Sequence, residues 1–132
     1  MGVIYQATTT TGLTNAATNA ETAVFTTPVL PSQGQGLAAV SISGYVNITA
    51  GTGTTAVVVR VRQGSGVTGT IVSALAASDS LAAGAVESIP FGVTDTSTYL
   101  ESGTGGQYTI TVQQTGGTGN GTTNAIDIEV LV

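Results

Sequence analysis

The 132-residue chain contains no cysteine, no histidine, no tryptophan and no lysine, and its cationic side chains are Arg60 and Arg62. Without cysteine or histidine it offers no disulfide, no thiolate or imidazole metal site and no Cys-His or Ser-His-Asp nucleophile. Without lysine it cannot form a Schiff base. Its seven acidic residues are spread over separate predicted strands and loops. The length of 132 residues predicts a single domain, and the missing residue types predict that it is not an enzyme and holds no cofactor or metal.

Charged residues are scarce as well. They make up 7% of the chain, against about 25% in an ordinary soluble domain. Threonine occurs 25 times, so neutral hydroxyl and amide side chains must cover much of the surface. Because the cores of protein interfaces are depleted of charge, such a surface predicts packing against copies of itself or a larger assembly. An extracellular or acid-tolerant domain is the alternative interpretation.

The charge balance and hydropathy exclude two classes of partner. Binding nucleic acid requires several cations to neutralise phosphates, whereas this chain has a net charge of −5. No apolar run approaches the roughly 20 residues that span a bilayer, so a membrane partner is not expected. Residues 1–8 lack the basic and continuously apolar regions of a secretory signal, which predicts synthesis in a cytoplasm without a cleaved leader.

Alternation of apolar and polar residues with a period of two predicts a fold built from strands. The clearest strands are expected at 40–49, 55–62, 107–113 and 126–132, and weaker ones at 3–9, 21–25, 69–74 and 85–93. Eight short strands separated by glycine-rich turns predict an all-β antiparallel sandwich, for which we favour a jelly roll. An immunoglobulin-like sandwich is second, since its Cys–Trp–Cys core is missing. The Ala- and Leu-rich segment 73–83 predicts one short turn of helix.

The N-terminal segment differs in composition from the rest of the chain. Residues 1–20 are rich in threonine and low in complexity, so we assign them to an extended N-terminal arm and residues 21–132 to the sandwich domain. Such an arm must be held by the edge of its own domain or by a neighbouring subunit, and we expect the neighbour. Within the predicted strand 40–49, Gly44 interrupts the apolar face, which predicts a bulge or a close backbone approach.

The two arginines are spaced to share one face of a strand. Arg60 and Arg62 are therefore candidates for interface ion pairs that fix the register of a neighbouring subunit or scaffold. An intramolecular pair with carboxylates of a neighbouring strand, such as Asp127 or Glu129, is the more common arrangement and the one we favour.

Other acidic residues suggest binding only weakly. Asp95 and Glu101 could offer oxygen ligands to a hard cation such as Ca²⁺, but the spacing of a calcium loop is absent, so we interpret both as solvated loop acids. Asp79, flanked by serines, is expected to be a turn or cap residue.

Several segments resemble small β-rich virion proteins of tailed bacteriophages, of the capsid-decoration or head-fibre type. The resemblance lies in residues 22–25, 46–55, 59–64 and 108–115. Over roughly 20–132 it is a similarity of general sequence character. It implies a jelly-roll or similar sandwich on the phage head, forming a homotrimer whose partners are its own copies and the major capsid protein. It implies no catalytic residues.

From the composition and this resemblance together we predict a structural virion protein on the capsid surface. A decoration (cement) or head-fibre protein of this kind would stabilise the head by burying area across capsomer junctions. A jelly-roll subunit of the shell itself is the first alternative. A carbohydrate-binding or adhesive module and a donor-strand filament subunit are alternatives of another class.

Overall fold

The computed structural model describes residues 2–15, 20–36, 39–53, 55–101, 103–116 and 120–132, and the backbone alone of Ala74. These residues form eight strands and one 3₁₀ turn, and they include no α-helix. The strands are β1 (Val3–Thr14), β2 (Glu21–Thr26), β3 (Val40–Thr49), β4 (Thr55–Gln63), β5 (Ile71–Leu81), β6 (Val86–Asp95), β7 (Tyr108–Thr115) and β8 (Thr122–Leu131). The 3₁₀ turn, Tyr99–Glu101, lies between β6 and β7.

The strands form two antiparallel sheets of four strands each. Sheet A has the order β1-β8-β3-β6 and sheet B the order β2-β7-β4-β5. The chain passes from one sheet to the other between most consecutive strands, so that each sheet is assembled from distant parts of the sequence. Two packed sheets with eight strands in this order form a jelly roll, which confirms the predicted fold class.

The core lies between the sheets and is built from small branched side chains. Alternate residues of the inner strands are buried with an exposed fraction near zero, as the period-two pattern predicts. These are Val57, Val59 and Val61 on β4, Ile126, Ile128 and Val130 on β8, and Val40, Ile42, Val46 and Ile48 on β3. Phe91 and Tyr108 are among the few large rings that add to this core. Valine and isoleucine favour strands because their branched Cβ packs well on a pleated surface.

Gly44 marks a close approach between two strands of sheet A, as predicted. Its backbone has a φ of +158°. A Cβ atom at this position would lie 1.8 Å from the carbonyl oxygen of Asp127 on β8 and 2.6 Å from the carbonyl carbon. Glycine is therefore required where β3 passes the Asp127 carbonyl of β8.

The helical turn predicted within 73–83 is wrong. Residues 73–81 instead belong to β5, which pairs antiparallel with β4 from Thr55↔Leu81 to Arg62↔Ile71. Two register shifts in the half of β5 nearer Ile71 insert extra residues and break the alternation that identifies a strand in the sequence. Pairing with β4 thus overrides the helix propensity of alanine and leucine.

The N-terminal segment forms the edge strand of sheet A. Residues 3–14 pair with β8 of the same chain, from Val3↔Leu131 to Thr14↔Thr122. In the single chain this segment is therefore held by the domain's own edge, one of the two arrangements that the sequence left open. Docking of the segment on a neighbouring subunit stays a prediction.

Candidate functional site

An ion pair lies on the outer face of sheet B. Arg62 on β4 donates two hydrogen bonds to the carboxylate of Glu21 on β2, with Nε–Oε1 at 2.8 Å and Nη2–Oε2 at 2.6 Å. Both side chains are 14% exposed. The remaining Arg62 nitrogen donates to the carbonyl of Gly69 at 2.7 Å, and the hydroxyl of Thr111 also donates to Glu21. The hydrogen bonds from Arg62 lower the pKa of Glu21, and those to Glu21 raise the pKa of Arg62.

Arg60 lies on the same face of β4, as the spacing predicts. Its Nη1 donates to Oε1 of Gln113 on β7 at 2.5 Å. Opposite Arg62 on β7, the hydroxyl of Thr109 lies 3.0 Å from that of Thr26, and Thr109 donates to the carbonyl of Gly64 at 2.6 Å. The two arginines therefore belong to a polar layer that crosses β2, β7 and β4.

Arg62 forms an intramolecular ion pair, as favoured from the sequence, but the partners that we named for it are wrong. Asp127 and Glu129 lie on β8 in sheet A, whereas both arginines lie in sheet B. Glu21 takes their place because β2 joins sheet B next to β7. A role for Arg60 and Arg62 at an interface between subunits stays a prediction.

A buried carboxylate connects the two sheets at one end of the sandwich. Asp95, at the end of β6, is 4% exposed. Its Oδ2 accepts hydrogen bonds from the Tyr108 hydroxyl at 2.8 Å and from Nε2 of Gln63 at 3.0 Å. Its Oδ1 accepts from the main-chain nitrogen of Ser97 at 2.9 Å. Since Gln63 and Tyr108 belong to sheet B, this carboxylate ties β6 to β4 and β7.

The surroundings of Asp95 stabilise its charged form. Burial raises the pKa of Asp95, but hydrogen bonds from Ser97, Tyr108 and Gln63 outweigh burial, so the pKa lies below its ordinary value. Burial, followed by the hydrogen bond to Asp95, raises the pKa of Tyr108 well above its ordinary value. The pair thus consists of a carboxylate and a neutral phenol at neutral pH.

The interpretation of Asp95 as a solvated loop acid is wrong, because Asp95 is buried at the end of β6, where its carboxylate accepts hydrogen bonds from β4 and β7. The oxygens of Asp95 face hydrogen-bond donors, and Glu101 lies in the 3₁₀ turn. Within the described residues, no three histidine, cysteine or acidic side chains come together in a group that could hold a metal ion. Asp79 accepts a hydrogen bond from the Ser80 main chain at 2.7 Å, so it caps a neighbouring amide, although it does so within β5 and not in a turn.

The described part of the chain contains no pocket. Among the same residues no helix is long and apolar enough to cross a membrane. The available surfaces are instead the outer faces of the sheets, the loops at either end and the two sides where strands from both sheets meet.

We name these two sides by their edge strands. The β1–β2 side carries β1 of sheet A and β2 of sheet B, where the rings of Tyr5 and Phe25 stack with centroids 6.3 Å apart. Both rings are half-buried. The β5–β6 side carries the exposed Asp79 and Glu87, whose carboxyl groups interact so that the pKa of Glu87 is raised.

Sequence comparisons identify no relatives. No protein-family model matches the chain. No curated protein matches it either.

Solved structures provide neighbours with the same fold. The chain is similar to one in the structure of infectious bursal disease virus Gx strain, with a TM-score of 0.64 and 15% identity over 96% of this chain. It is also similar to a chain of the T13 particle of that virus, with a TM-score of 0.64, 12% identity and the same coverage. The Gt strain gives a TM-score of 0.58 and 14% identity. This protein spans 31% of the length of the first two chains and 30% of the third, so the similarity concerns the fold of one module.

Proposed function

We propose that this protein is a structural component of a virus particle and acts by assembling, not by catalysis. The observation that carries the proposal is the jelly roll itself, which aligns over 96% of its length with chains of a virus particle. The low charge of the chain supports the same conclusion, since 7% charged residues suit a surface that becomes covered.

The outer face of sheet A carries neutral side chains that already hydrogen-bond to one another. Nδ2 of Asn124 on β8 donates to Oδ1 of Asn47 and to Oγ1 of Thr49, both at 2.9 Å. Nδ2 of Asn47 in turn donates to Oγ of Ser88 on β6 at 2.9 Å. These neutral side chains already hold one another in place across three strands, so a partner would order fewer of them on binding.

For the role within the particle, we propose a homotrimer that decorates the capsid of a tailed phage as a cement or head-fibre protein. Its partner would be the major capsid protein, and it would act on the capsid surface after synthesis in the host cytoplasm. This finer assignment is supported by the resemblance of sequence segments. A subunit of the shell itself is the second candidate, and it is favoured by the structural neighbours, which are chains of a virus particle.

The mass of the purified protein in solution tests the proposal. Light scattering at neutral pH over a concentration series, followed by negative-stain electron microscopy, separates the candidates. A discrete species of three times the 12.9 kDa chain mass would support the decoration or head-fibre role. Closed shells or open sheets would support the shell subunit. A monomer at every concentration would contradict an assembling protein.

A further inference from the structure

The free edge of β1 lacks most of the features that prevent edge strands from pairing. Strand β1 is 12 residues long, and within the described residues no strand pairs with its outer edge. Natural proteins block such edges with charged side chains, proline, shortness or bulges. β1 contains no charged residue and no proline, and between its two register shifts the stretch from Tyr5 to Thr10 pairs regularly with β8. Its edge is therefore open to main-chain hydrogen bonding by another strand.

Apolar groups lie along the same side. Tyr5 and Phe25 form a half-buried aromatic pair between β1 and β2, where aromatic side chains are favourable anchors of an interface. Val3 and Leu13, near the two ends of β1, are 55% and 38% exposed. Apolar side chains thus lie near both ends of the free edge, and the residues between them are uncharged and include four threonines.

Charge distinguishes this side from the opposite one. On the β1–β2 side, strands β1 and β2 contain one acidic residue, Glu21, and its ion pair with Arg62 neutralises its charge. On the β5–β6 side the exposed carboxyls of Asp79 and Glu87 lie together, and β6 carries Pro90. Two copies that met through the β5–β6 side would bring these carboxylates together, and each chain already carries a net charge of −5. The same contact through the β1–β2 side would bring together neutral residues.

We propose that copies of this chain associate through the β1–β2 side, with the free edge of β1 hydrogen-bonded to the partner and with Tyr5 and Phe25 buried in the contact. The proposal rests on the proposed function, because it assigns the surface by which the assembling protein meets a second copy. The occupant is a second copy because each chain carries a net charge of −5, and the β1–β2 side, where Arg62 pairs with Glu21, adds no unpaired charge to a contact between two such chains.

Four lysine substitutions test the proposal. Val3→Lys and Leu13→Lys place a charge at exposed positions on β1. Val86→Lys and Leu75→Lys are the matched controls, since they change the same residue types at positions 59% and 56% exposed on the opposite side. Circular dichroism establishes that each variant is folded. Sedimentation equilibrium then gives the dissociation constant of the oligomer, which we expect to rise at least about tenfold for the two β1 variants and less than about twofold for the controls.

Amide hydrogen exchange of the unaltered protein provides a second measurement that needs no variant. Protection of the β1 amides should increase with protein concentration, while that of the β5 amides should not. An oligomer that survives both β1 substitutions but dissociates with Val86→Lys or Leu75→Lys would overturn this inference and leave the proposed function intact. A wild-type protein that is monomeric at every concentration would overturn both.

Discussion

Replacing Asp95 with asparagine keeps the shape of the side chain but removes its charge and turns one acceptor into a donor. Two donors point at Oδ2, from Tyr108 and Gln63, and the Ser97 main chain points at Oδ1. Whichever way the amide is oriented, at least one of these donors loses its acceptor at a site that is 4% exposed. Hydrogen bonds to a charged group contribute about 1.5–3 kcal/mol each, so we expect the free energy of unfolding at pH 7 to fall by about 3 kcal/mol.

Urea unfolding followed by circular dichroism measures this loss. With a denaturant slope of about 2 kcal/mol/M, a loss of that size lowers the midpoint by about 1.5 M. Tyr108→Phe serves as the second arm of a double-mutant cycle. It should cost about 1.5 kcal/mol in the wild-type protein and much less in the Asp95→Asn background, because the hydroxyl has then already lost its charged acceptor.

The acid dependence of stability provides an independent check. Because the pKa of Asp95 is lowered in the folded protein, its contribution is present above the unfolded-state pKa of about 3.9 and is lost as the pH falls through the folded value. The difference between wild type and Asp95→Asn should therefore shrink in strong acid. An asparagine variant with the wild-type urea midpoint, or additive effects in the cycle, would refute the role assigned to this carboxylate.

Two further predictions concern sheet A and sheet B. Gly44→Ala should destabilise the fold by about 3 kcal/mol or more, because its Cβ would overlap the Asp127 carbonyl. Gly92→Ala, on the adjacent strand with open space around its Cβ, should change the urea midpoint little; equal effects would contradict the close approach. Glu21→Gln should cost about 1–3 kcal/mol at pH 7, since it removes the charged acceptor of Arg62. That loss should disappear as acid protonates Glu21 in the wild type, whose lowered pKa places the change below about pH 4.3, and a constant difference down to strong acid would argue against the ion pair.

The sequence predicts the strands best where one face is buried and the other is solvated. On β3, β4 and β8 the alternation of Val and Ile with polar residues matches the buried and exposed positions. On β1 threonine occupies both faces, so the pattern is weak although the strand is 12 residues long. On β5 register shifts displace the pattern, and local composition then suggests a helix that the pairing with β4 excludes.

Partners between strands are harder to predict than the strands themselves. The spacing of Arg60 and Arg62 correctly places both side chains on one face of β4. It cannot identify Glu21 as the acidic partner, because that depends on β2 joining sheet B on the far side of β7. The stacking of Tyr5 on Phe25 likewise depends on two sheets meeting at one side, which no local pattern encodes.

Membership of a virus particle is tested most directly by the composition of purified particles. Particles from cells that carry this gene can be separated on a density gradient, and the chain quantified in each fraction by mass spectrometry. We predict that it sediments with the particles in a fixed ratio to the shell protein. Its recovery in the particle-free fractions alone, at the top of the gradient, would contradict the account.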